Sequence, residues 1–475
     1  MKFSLSYFFR QYPQGFNAIF IAQIAYNFSF YGLKSIYVLF MIYHLKIPDS
    51  DAISMFAILM ALSYATSLFG GFMSDKGLNS FYLLITGGLF SIIGIIILFL
   101  SISYAIYLAM AALSLGAGCF KPNFSTILSS IFKDPKDPLK DQAFTKLYIA
   151  MNIGSFSGPL FCGLAYQQVG WHQAFLLIFL GFCTGIYYIS RNSIQFIPSK
   201  PQLPHFNQSI VLLLFIVFYV ILFVLFQHHN SIHGFIGGAV IVSLLWFGYI
   251  YNQCNKDERK DLLSTIPYIL LFSFFCSLFE QSGSSLVLFF EHHVDRTLFN
   301  IEIPASTLLS LNPIFVLILG AFMPIINKLF LGLNDIQAGL AKFGIGFIAV
   351  GLSFMVFVIG SILNPYLLPI GWLIIAMLIQ TLGELCIVPI GFSSISRLSP
   401  QRYLGGMMSL WLMSIAYGHY LAGAMARLSI HDTLSLNITN GFEHLFTKLG
   451  AISIIIGGVL VIRGAYKMFY NPNNI

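Results

Sequence analysis

Long apolar runs separated by short polar segments dominate the pattern along this chain. The runs are continuous rather than alternating, and most reach the roughly 20 residues that a helix needs to cross a bilayer. Hydropathy and loop residues predict fourteen transmembrane helices and therefore an all-α membrane protein. The predicted spans are approximately 15–43, 50–73, 79–102, 104–132, 142–167, 171–190, 207–227, 233–252, 263–291, 305–332, 336–362, 366–397, 403–429 and 445–468.

Two polar segments divide the predicted spans into groups. Residues 191–208 follow six spans, residues 252–261 precede another six, and a plain apolar pair lies between them. This order predicts two homologous six-helix bundles with an inserted helical hairpin, as in many secondary transporters. The predicted domains are an N-terminal bundle at 1–190, a linker with the hairpin at 191–262 and a C-terminal bundle at 263–475.

Composition agrees with this plan and narrows the function. Of the 475 residues, 57% are hydrophobic and 9% are charged, whereas about a quarter of the residues in soluble domains are charged. Most Lys and Arg residues fall on the side of the N-terminus, so the formal charge of +7 predicts cytoplasmic termini rather than nucleic-acid binding. The six cysteines are scattered without metal or disulfide spacing, so we expect no metal site.

Four ionisable residues lie inside predicted spans, where a charge is costly and is a functional candidate by default. Lys34 and Lys121 are in the first and fourth spans of the first bundle, and Glu280 and Glu384 are in the corresponding spans of the second. This pattern suits a zwitterion, with its carboxylate toward the lysines and its amine toward the glutamates. The alternative is a set of structural ion pairs that lock the bundles.

Polar residues also recur at helical spacing. Gln23, Asn27, Tyr31 and Lys34 lie within about 80° of one another on the first span, so they form one stripe that would face a cavity. A second stripe on the fifth span begins at Tyr148. Close helix packing alone produces similar stripes of small and polar residues, so this alternative stays open.

Several segments resemble known transporters. The first is GGFMSDKGLN (70–79), which resembles a loop of the major facilitator superfamily; Gly70 and Gly71 allow close helix contact, and Asp75 and Lys76 mark the helix junction. More specific are GAGCFKPNFSTIL (116–128) and DQAFTKLYIAMNIGSFSGPLFCG (141–163), which resemble the signature of the proton-dependent oligopeptide transporters. The resemblance covers nearly the whole chain. It implies the major facilitator fold, with the fourteen-helix plan of the bacterial members.

The resemblance implies a role for each candidate site residue. Lys121 would hold a peptide's terminal carboxylate and pair with Glu280, and Glu280 would link the proton to the gate. Glu384 would receive the peptide's amino terminus. The other substrate-binding candidates are Asn27, Lys34, Tyr64, Tyr148, Asn152, Phe275 and Trp411. For the aromatic residues, ordinary packing is the alternative.

The first span departs from the family pattern. Where the family has Glu-x-x-Glu-Arg, this chain has Gln23, Tyr26 and Asn27 in place of the two acids and the arginine. Two interpretations stay open: Glu280 carries the coupling proton, or coupling is lost and the protein is a facilitator. His419 is a further candidate because imidazole titrates near neutral pH, with a helix contact as the alternative.

The sequence therefore predicts a secondary active transporter, with no catalytic residues and no enzymatic activity. We expect it to import di- and tripeptides, or peptide-like small zwitterions, by alternating access, with a proton gradient as the energy source and no cofactor. Its expected partners are the substrate, protons and the lipid of a bacterial inner membrane, and the chain is expected to work as a monomer. The alternatives are an uncoupled facilitator, a transporter of a non-peptide polar solute, and a non-transporting receptor or scaffold.

Overall fold

Helices make up almost all of the described chain, which confirms the predicted all-α fold class. The computed structural model describes residues 11–75, 78–100, 104–132, 138–196, 208–228, 232–298, 300–320, 322, 335–400, 403–433 and 438–470. Contacts group the chain into two compact units. The first comprises Met1–Ile47, Leu62–His229 and Ser306–Ser310, and the second comprises Pro48–Ala61, Asn230–Ala305 and Leu311–Ile475. The predicted domain boundaries near residues 190 and 262 stay predictions.

The helices before residue 230 begin with the polar first span and end with the first half of the predicted hairpin. They are α1 (Phe16–Leu39), α2 (Asp49–Ala65), α3 (Ser67–Asp75), α4 (Ser80–Phe99), α5 (Ala105–Ser130), α6 (Pro138–Gln168), α7 (Trp171–Arg191), α8 (Ser193–Phe196) and α9 (Gln208–Gln227). A short π-helix, Phe40–His44, extends α1. Asn79 begins α4, because its side chain accepts a hydrogen bond from the backbone nitrogen of Phe81 at 2.8 Å.

The helices after residue 230 include two interrupted spans. They are α10 (Ile232–Asn252), α11 (Lys256–Leu263), α12 (Thr265–Phe279), α13 (Ser285–His293), α14 (Ala305–Leu308), α15 (Leu311–Gly320), α16 (Asp335–Leu363), α17 (Ile370–Leu398), α18 (Leu404–Thr433) and α19 (Ile438–Tyr470). A 3₁₀ turn, Glu280–Gly283, separates α12 from α13. The strand β1 (Val294–Asp295) pairs in parallel with β4 (Leu368–Pro369), and β2 (Thr297–Leu298) pairs antiparallel with β3 (Ile301–Glu302).

Each of the fourteen predicted spans corresponds to one or more of these helices, although parts of the spans 79–102, 207–227 and 305–332 lie outside the described residues. The second span is divided at Thr66, between α2 and α3. The Thr66 hydroxyl oxygen lies 2.7 Å from the carbonyl oxygens of both Leu62 and Ser114. A hydroxyl that bonds to the carbonyl four residues earlier often bends a helix, which accounts for the division.

The first helix is among the more polar of the long helices. Ten of the described helical segments are long and apolar enough to cross a membrane, and α1 is not among them although it has 24 residues. Gln23, Asn27 and Lys34 lower its mean hydropathy. Asn27 is only 5% exposed, so this polar side chain lies inside the protein rather than in lipid.

Glycine residues let α1 and α6 approach closely. A Cβ atom at Gly158 would meet the carbonyl oxygen of Phe28 and, at 2.9 Å, the backbone nitrogen of Gly32. A Cβ atom at Gly154 would lie 2.8 Å from Cβ of Asn27. Small residues at a crossing allow such backbone contact in membrane helices. The crossing therefore holds the polar face of α1 against α6.

We expect Gly158→Ala to lower the midpoint of thermal unfolding of the purified protein, because the added methyl group pushes the α1 backbone away. Overpacking of this kind costs about 1–3 kcal/mol. The matched control is Gly458→Ala on α19, where a Cβ atom meets nothing within 4 Å. Equal midpoints for the two variants would contradict the close crossing.

Candidate functional site

Lys121 is enclosed by aromatic rings in the first unit. Its Nζ lies 3.7 Å from the ring centroid of Phe30 on α1 and 3.7 Å from that of Tyr64 on α2. The faces of aromatic rings attract a cation and offset part of its lost hydration. Pro122 follows in α5 and has no backbone N–H, so the carbonyl of Gly118 lacks its helical partner. The chain thus places a stabilised ammonium group at an irregular point of α5.

A cavity of about 320 Å³ lies beside this ammonium group. Its polar lining includes Gln23, Asn27, Tyr31, Tyr64, Lys121 and Tyr148. The apolar part of the wall includes Phe124, Phe144, Leu147 and Met151. Within this unit, the structure therefore brings five of the predicted stripe and substrate-site residues around one predicted cation.

The α1 wall of the cavity offers neutral hydrogen-bonding groups. The Asn27 side-chain nitrogen donates to the carbonyl oxygen of Gln23 at 2.8 Å. Tyr26 also lines the cavity and stacks on Phe120, with ring centroids 4.0 Å apart. The Tyr26 hydroxyl and Oε1 of Gln23 are buried and have no hydrogen-bond partner among the described residues. Lys34 lies about one helical turn beyond Tyr31, with its Nζ 5.7 Å from the Tyr31 ring centroid.

On α6, Tyr148 and Asn152 differ in exposure. Tyr148 is 46% exposed and lines the cavity, whereas Asn152 is 6% exposed and lies outside the described lining. The Asn152 side-chain nitrogen donates to the carbonyl oxygen of Tyr148 at 2.9 Å. Asn152 is therefore held along its own helix. Its predicted substrate contact stays a prediction.

Glu280 lies where the ninth span is interrupted. The α-helix ends at Phe279, and Glu280 is the first residue of the 3₁₀ turn. Glu280 is 9% exposed, and its Oε2 lies 3.5 Å from Nδ1 of His419 on α18. The interruption thus places a carboxyl group beside an imidazole inside the second unit. The predicted pairing of Glu280 with Lys121 stays a prediction.

Glu384 belongs to a polar cluster between α15 and α17. The Asn312 side-chain nitrogen lies 2.7 Å from Oε2 of Glu384 and 3.1 Å from the hydroxyl oxygen of Thr381. The Thr381 hydroxyl itself donates to the carbonyl oxygen of Met377 at 2.8 Å. Asn312 thereby orients the Glu384 carboxylate.

Trp411 and Phe275 are packed among other rings in the second unit. Both are 2% exposed, and Trp411 stacks on Phe272 with centroids 3.8 Å apart and an interplanar angle of 7°. Phe275 stacks on Phe279 with centroids 5.6 Å apart. These contacts are those of a packed core. The predicted role of the two residues in side-chain pockets stays a prediction.

The predicted loop motif lies at the end of α3. A Cβ atom at Gly70 would collide with the carbonyl oxygen of Gly118, which is the carbonyl that Pro122 leaves without a helical partner. At Gly71 a Cβ atom meets nothing within 4 Å. Asp75 ends α3, and Lys76 lies outside the described residues.

The sequence did not predict which residues lie beside the two candidate acids. Asn312 was not selected, although an asparagine in the apolar segment LSLNPIFVLILG (309–320) is a detectable signal. His419 was recognised as titratable, but its partner Glu280 is more than one hundred residues away and no spacing rule connects them. Phe30 was hidden among 49 phenylalanines.

Membrane-spanning helices that enclose polar groups and buried charges give a solute a route through protein rather than lipid. Solved transporters share the fold. A crystal structure of the peptide transporter POT with sulfate superposes with a TM-score of 0.83 at 24% identity, covering 96% of this chain and 95% of the other. A crystal structure of a POT family transporter in complex with 5-aminolevulinic acid superposes with a TM-score of 0.81 at 24% identity, covering 96% of this chain and 97% of the other. The chain therefore has the major facilitator fold of these solved structures.

Its family follows from the sequence comparisons. The family model PTR2, which describes the POT family, matches residues 81–441. The chain therefore belongs to the POT family. The helix α1 lies before the matched range. Dipeptide and tripeptide permease A of Erwinia pyrifoliae is 28% identical over 466 residues, 95% of this chain and 93% of the relative. The uncharacterized transporter YclF of Bacillus subtilis is 26% identical over 475 residues, 95% and 93% of the two chains.

Proposed function

We propose that this transporter imports di- and tripeptides, or peptide-like small zwitterions, by alternating access, and that Glu280 carries a coupling proton. Membership in the POT family supports the proposal, as do relatives called dipeptide and tripeptide permeases. The distribution of Lys and Arg supports a bacterial inner membrane with both termini in the cytoplasm. The monomer is the proposed functional unit.

The ammonium group of Lys121 beside the cavity is the observation that carries this proposal. Two aromatic faces at 3.7 Å keep the cation stable away from bulk water. A carboxylate entering the cavity could form a charge-assisted hydrogen bond with Nζ, which is stronger than a neutral one. The free carboxylate of a short peptide matches this group. The neutral side chains of Asn27 and Tyr148 suit the donors and acceptors of a peptide backbone.

The neutral α1 wall favours a second candidate function. Gln23 and Tyr26 have buried oxygen atoms without partners among the described residues, and neither can exchange a proton readily near neutral pH. A wall of this kind suits an uncoupled facilitator or a carrier of another small polar solute. A receptor that does not transport is disfavoured because buried charges are expensive to keep in membrane helices.

Glu384→Gln is expected to weaken the binding of substrates with a free amine by about 10- to 100-fold, because a hydrogen bond to a charged group contributes roughly 1.5–3 kcal/mol. Glutamine keeps an acceptor for Asn312, so the local cluster is preserved. The measurement compares the inhibition constants of a tripeptide and its N-acetylated form. Equal affinities of wild type and variant for the free-amine peptide would contradict the role of Glu384.

Uptake of labelled dialanine and trialanine into proteoliposomes, at equal pH on both sides, tests the substrate class. Saturable uptake that unlabelled tripeptide inhibits and free alanine does not inhibit would support peptide transport. Binding without uptake would support a receptor. Neither uptake nor competition by any peptide would contradict the peptide proposal and favour another solute.

A further inference from the structure

Glu280 and His419 form a close pair inside the second unit. Nδ1 of His419 lies 3.5 Å from Oε2 of Glu280, and the two side chains are 1% and 11% exposed, respectively. An imidazole and a carboxylate at this distance interact strongly in a medium less polar than water. The protonation of either group therefore depends on the other.

Gln281 joins the two elements that carry the pair. Its Nε2 lies 3.2 Å from the carbonyl oxygen of Ala422, which is three residues beyond His419 on α18. The hydroxyl of Ser285 lies 2.5 Å from Oε1 of Gln281 and holds the other end of the carboxamide. Gln281 is fully buried. These bonds fix the 3₁₀ turn, and with it Glu280, against the turn of α18 that carries His419.

Close helix packing fixes the other side of His419. A Cβ atom at the preceding residue, Gly418, would collide with Cβ of Cys276 and lie 3.1 Å from the carbonyl oxygen of Ser273. Only glycine permits this approach of α18 to α12. The pair is therefore held by backbone packing as well as by side-chain hydrogen bonds.

We propose that Glu280 and His419 together form one proton-binding site, and that His419 is a proton acceptor of the transport cycle rather than a packing residue. The inference rests on the proton-coupled transport proposed above and deepens it. One proton enters from the outer solution, binds to Oε2 of Glu280 or Nδ1 of His419, and leaves toward the cytoplasm. No other bond forms or breaks.

A pair suits this task better than a single carboxyl group. With one proton bound, the pair has no net charge whether the proton is on the carboxyl group or on the imidazole. Burying that neutral state costs less free energy than burying the deprotonated pair, which has a net negative charge. Imidazole also exchanges protons near neutral pH. The helix α1 has no Asp or Glu, so it supplies no carboxylate for this purpose.

Other titratable groups lie on the elements packed against α18, and the test must separate them from the pair. Among the residues whose side chains the structure describes, they are Asp49, Asp51 and Tyr64 on α2, Tyr249 and Tyr251 on α10, Tyr268 and Cys276 on α12, Glu384, Cys386 and Arg397 on α17, and Glu443, His444, Lys448 and Arg463 on α19. On α18 itself, the Tyr417 hydroxyl is 2.8 Å from that of Ser243. A spectroscopic signal assigned by substitution resolves Glu280 among these groups.

The test is infrared difference spectroscopy of the purified protein in lipid during a pH titration, which needs no substrate. Glu280→Gln assigns the carboxyl band of Glu280. In His419→Asn, whose carboxamide keeps a donor near the position of Nδ1, we expect the midpoint of that band to move by about one pH unit or more. His444→Asn, at an exposed position on α19, is the matched control and should leave the midpoint unchanged.

A transport assay completes the test. The pH of half-maximal gradient-driven uptake should fall in His419→Asn, because a site with two proton acceptors retains its proton to higher pH than one acceptor does. Elution profile and thermal unfolding verify that the variant folds, and His419→Gln replaces it if it does not.

The outcomes separate the two proposals. An unchanged Glu280 midpoint with intact accumulation overturns the pair and leaves proton-coupled transport standing. Absence of accumulation in the wild type overturns coupled transport, and with it the transport role of His419, whatever the spectra show.

Discussion

Glu280→Gln is expected to abolish gradient-driven accumulation of a labelled peptide and to leave counterflow of the same peptide nearly intact. Glutamine keeps the size of the side chain and an oxygen acceptor near His419, but it cannot bind or release a proton. A proton on His419 alone would then leave a buried positive charge without a carboxylate partner, which is unfavourable, so the imidazole does not take over the role of the pair. Counterflow exchanges substrate without net proton movement, so it survives. With one proton per substrate, a gradient of one pH unit supplies about 1.4 kcal/mol, or about tenfold accumulation, and the variant should lose all of it.

The matched control for this experiment is Asp261→Asn, a carboxylate-to-amide change at an exposed position on α11. It should accumulate peptide like the wild type. Accumulation that survives in Glu280→Gln would show that another group carries the proton. Loss of both accumulation and counterflow would instead indicate a damaged substrate path.

Lys121→Gln is expected to raise the KM for peptide uptake by about 10- to 100-fold, because a charge-assisted hydrogen bond to the substrate carboxylate contributes roughly 1.5–3 kcal/mol. The effect should be much smaller for a peptide amide, which has no terminal carboxylate. Phe30 and Tyr64 remain to pack against the shortened side chain. Inhibition by a tripeptide and by its amide, measured in both proteins, gives the comparison.

Lys448→Gln removes the same charge at an exposed position on α19 and should leave both inhibition constants unchanged. An equal loss of affinity for peptide and peptide amide in Lys121→Gln would mean that Lys121 acts on the fold of the site rather than on the carboxylate. Unchanged affinity for both ligands would remove Lys121 from the binding site.

The spans were predictable from sequence because the hydrophobic requirement of a bilayer is local and strong. Their interruptions were not. The division at Thr66 accompanies a local bond from its hydroxyl to the carbonyl of Leu62, but the same hydroxyl also lies near the carbonyl of Ser114, which is 48 residues away. The turn at Glu280 is held by a hydrogen bond from Gln281 to the carbonyl of Ala422, which is 141 residues away. Neither contact leaves a periodic signal in the chain.

The buried charges were predictable for the same reason, since an ionisable residue in an apolar run stands out. Their immediate partners were not predictable. The rings around Lys121 come from α1 and α2, and the residues beside Glu280 and Glu384 come from α18 and α15. Such pairings are set by tertiary packing. For the aromatic candidates Trp411 and Phe275 the sequence is less informative, because composition does not distinguish an aromatic ring that lines a pocket from one that packs in the core.

Proton coupling is tested most directly by the accumulation of labelled trialanine in wild-type proteoliposomes under an imposed inward proton gradient, followed by a protonophore. Proton coupling through Glu280 predicts that the internal concentration of trialanine rises above the external one. It also predicts that the excess leaves when the protonophore collapses the gradient. Equilibration to the external concentration, with or without the gradient, would contradict proton coupling and identify the protein as a facilitator.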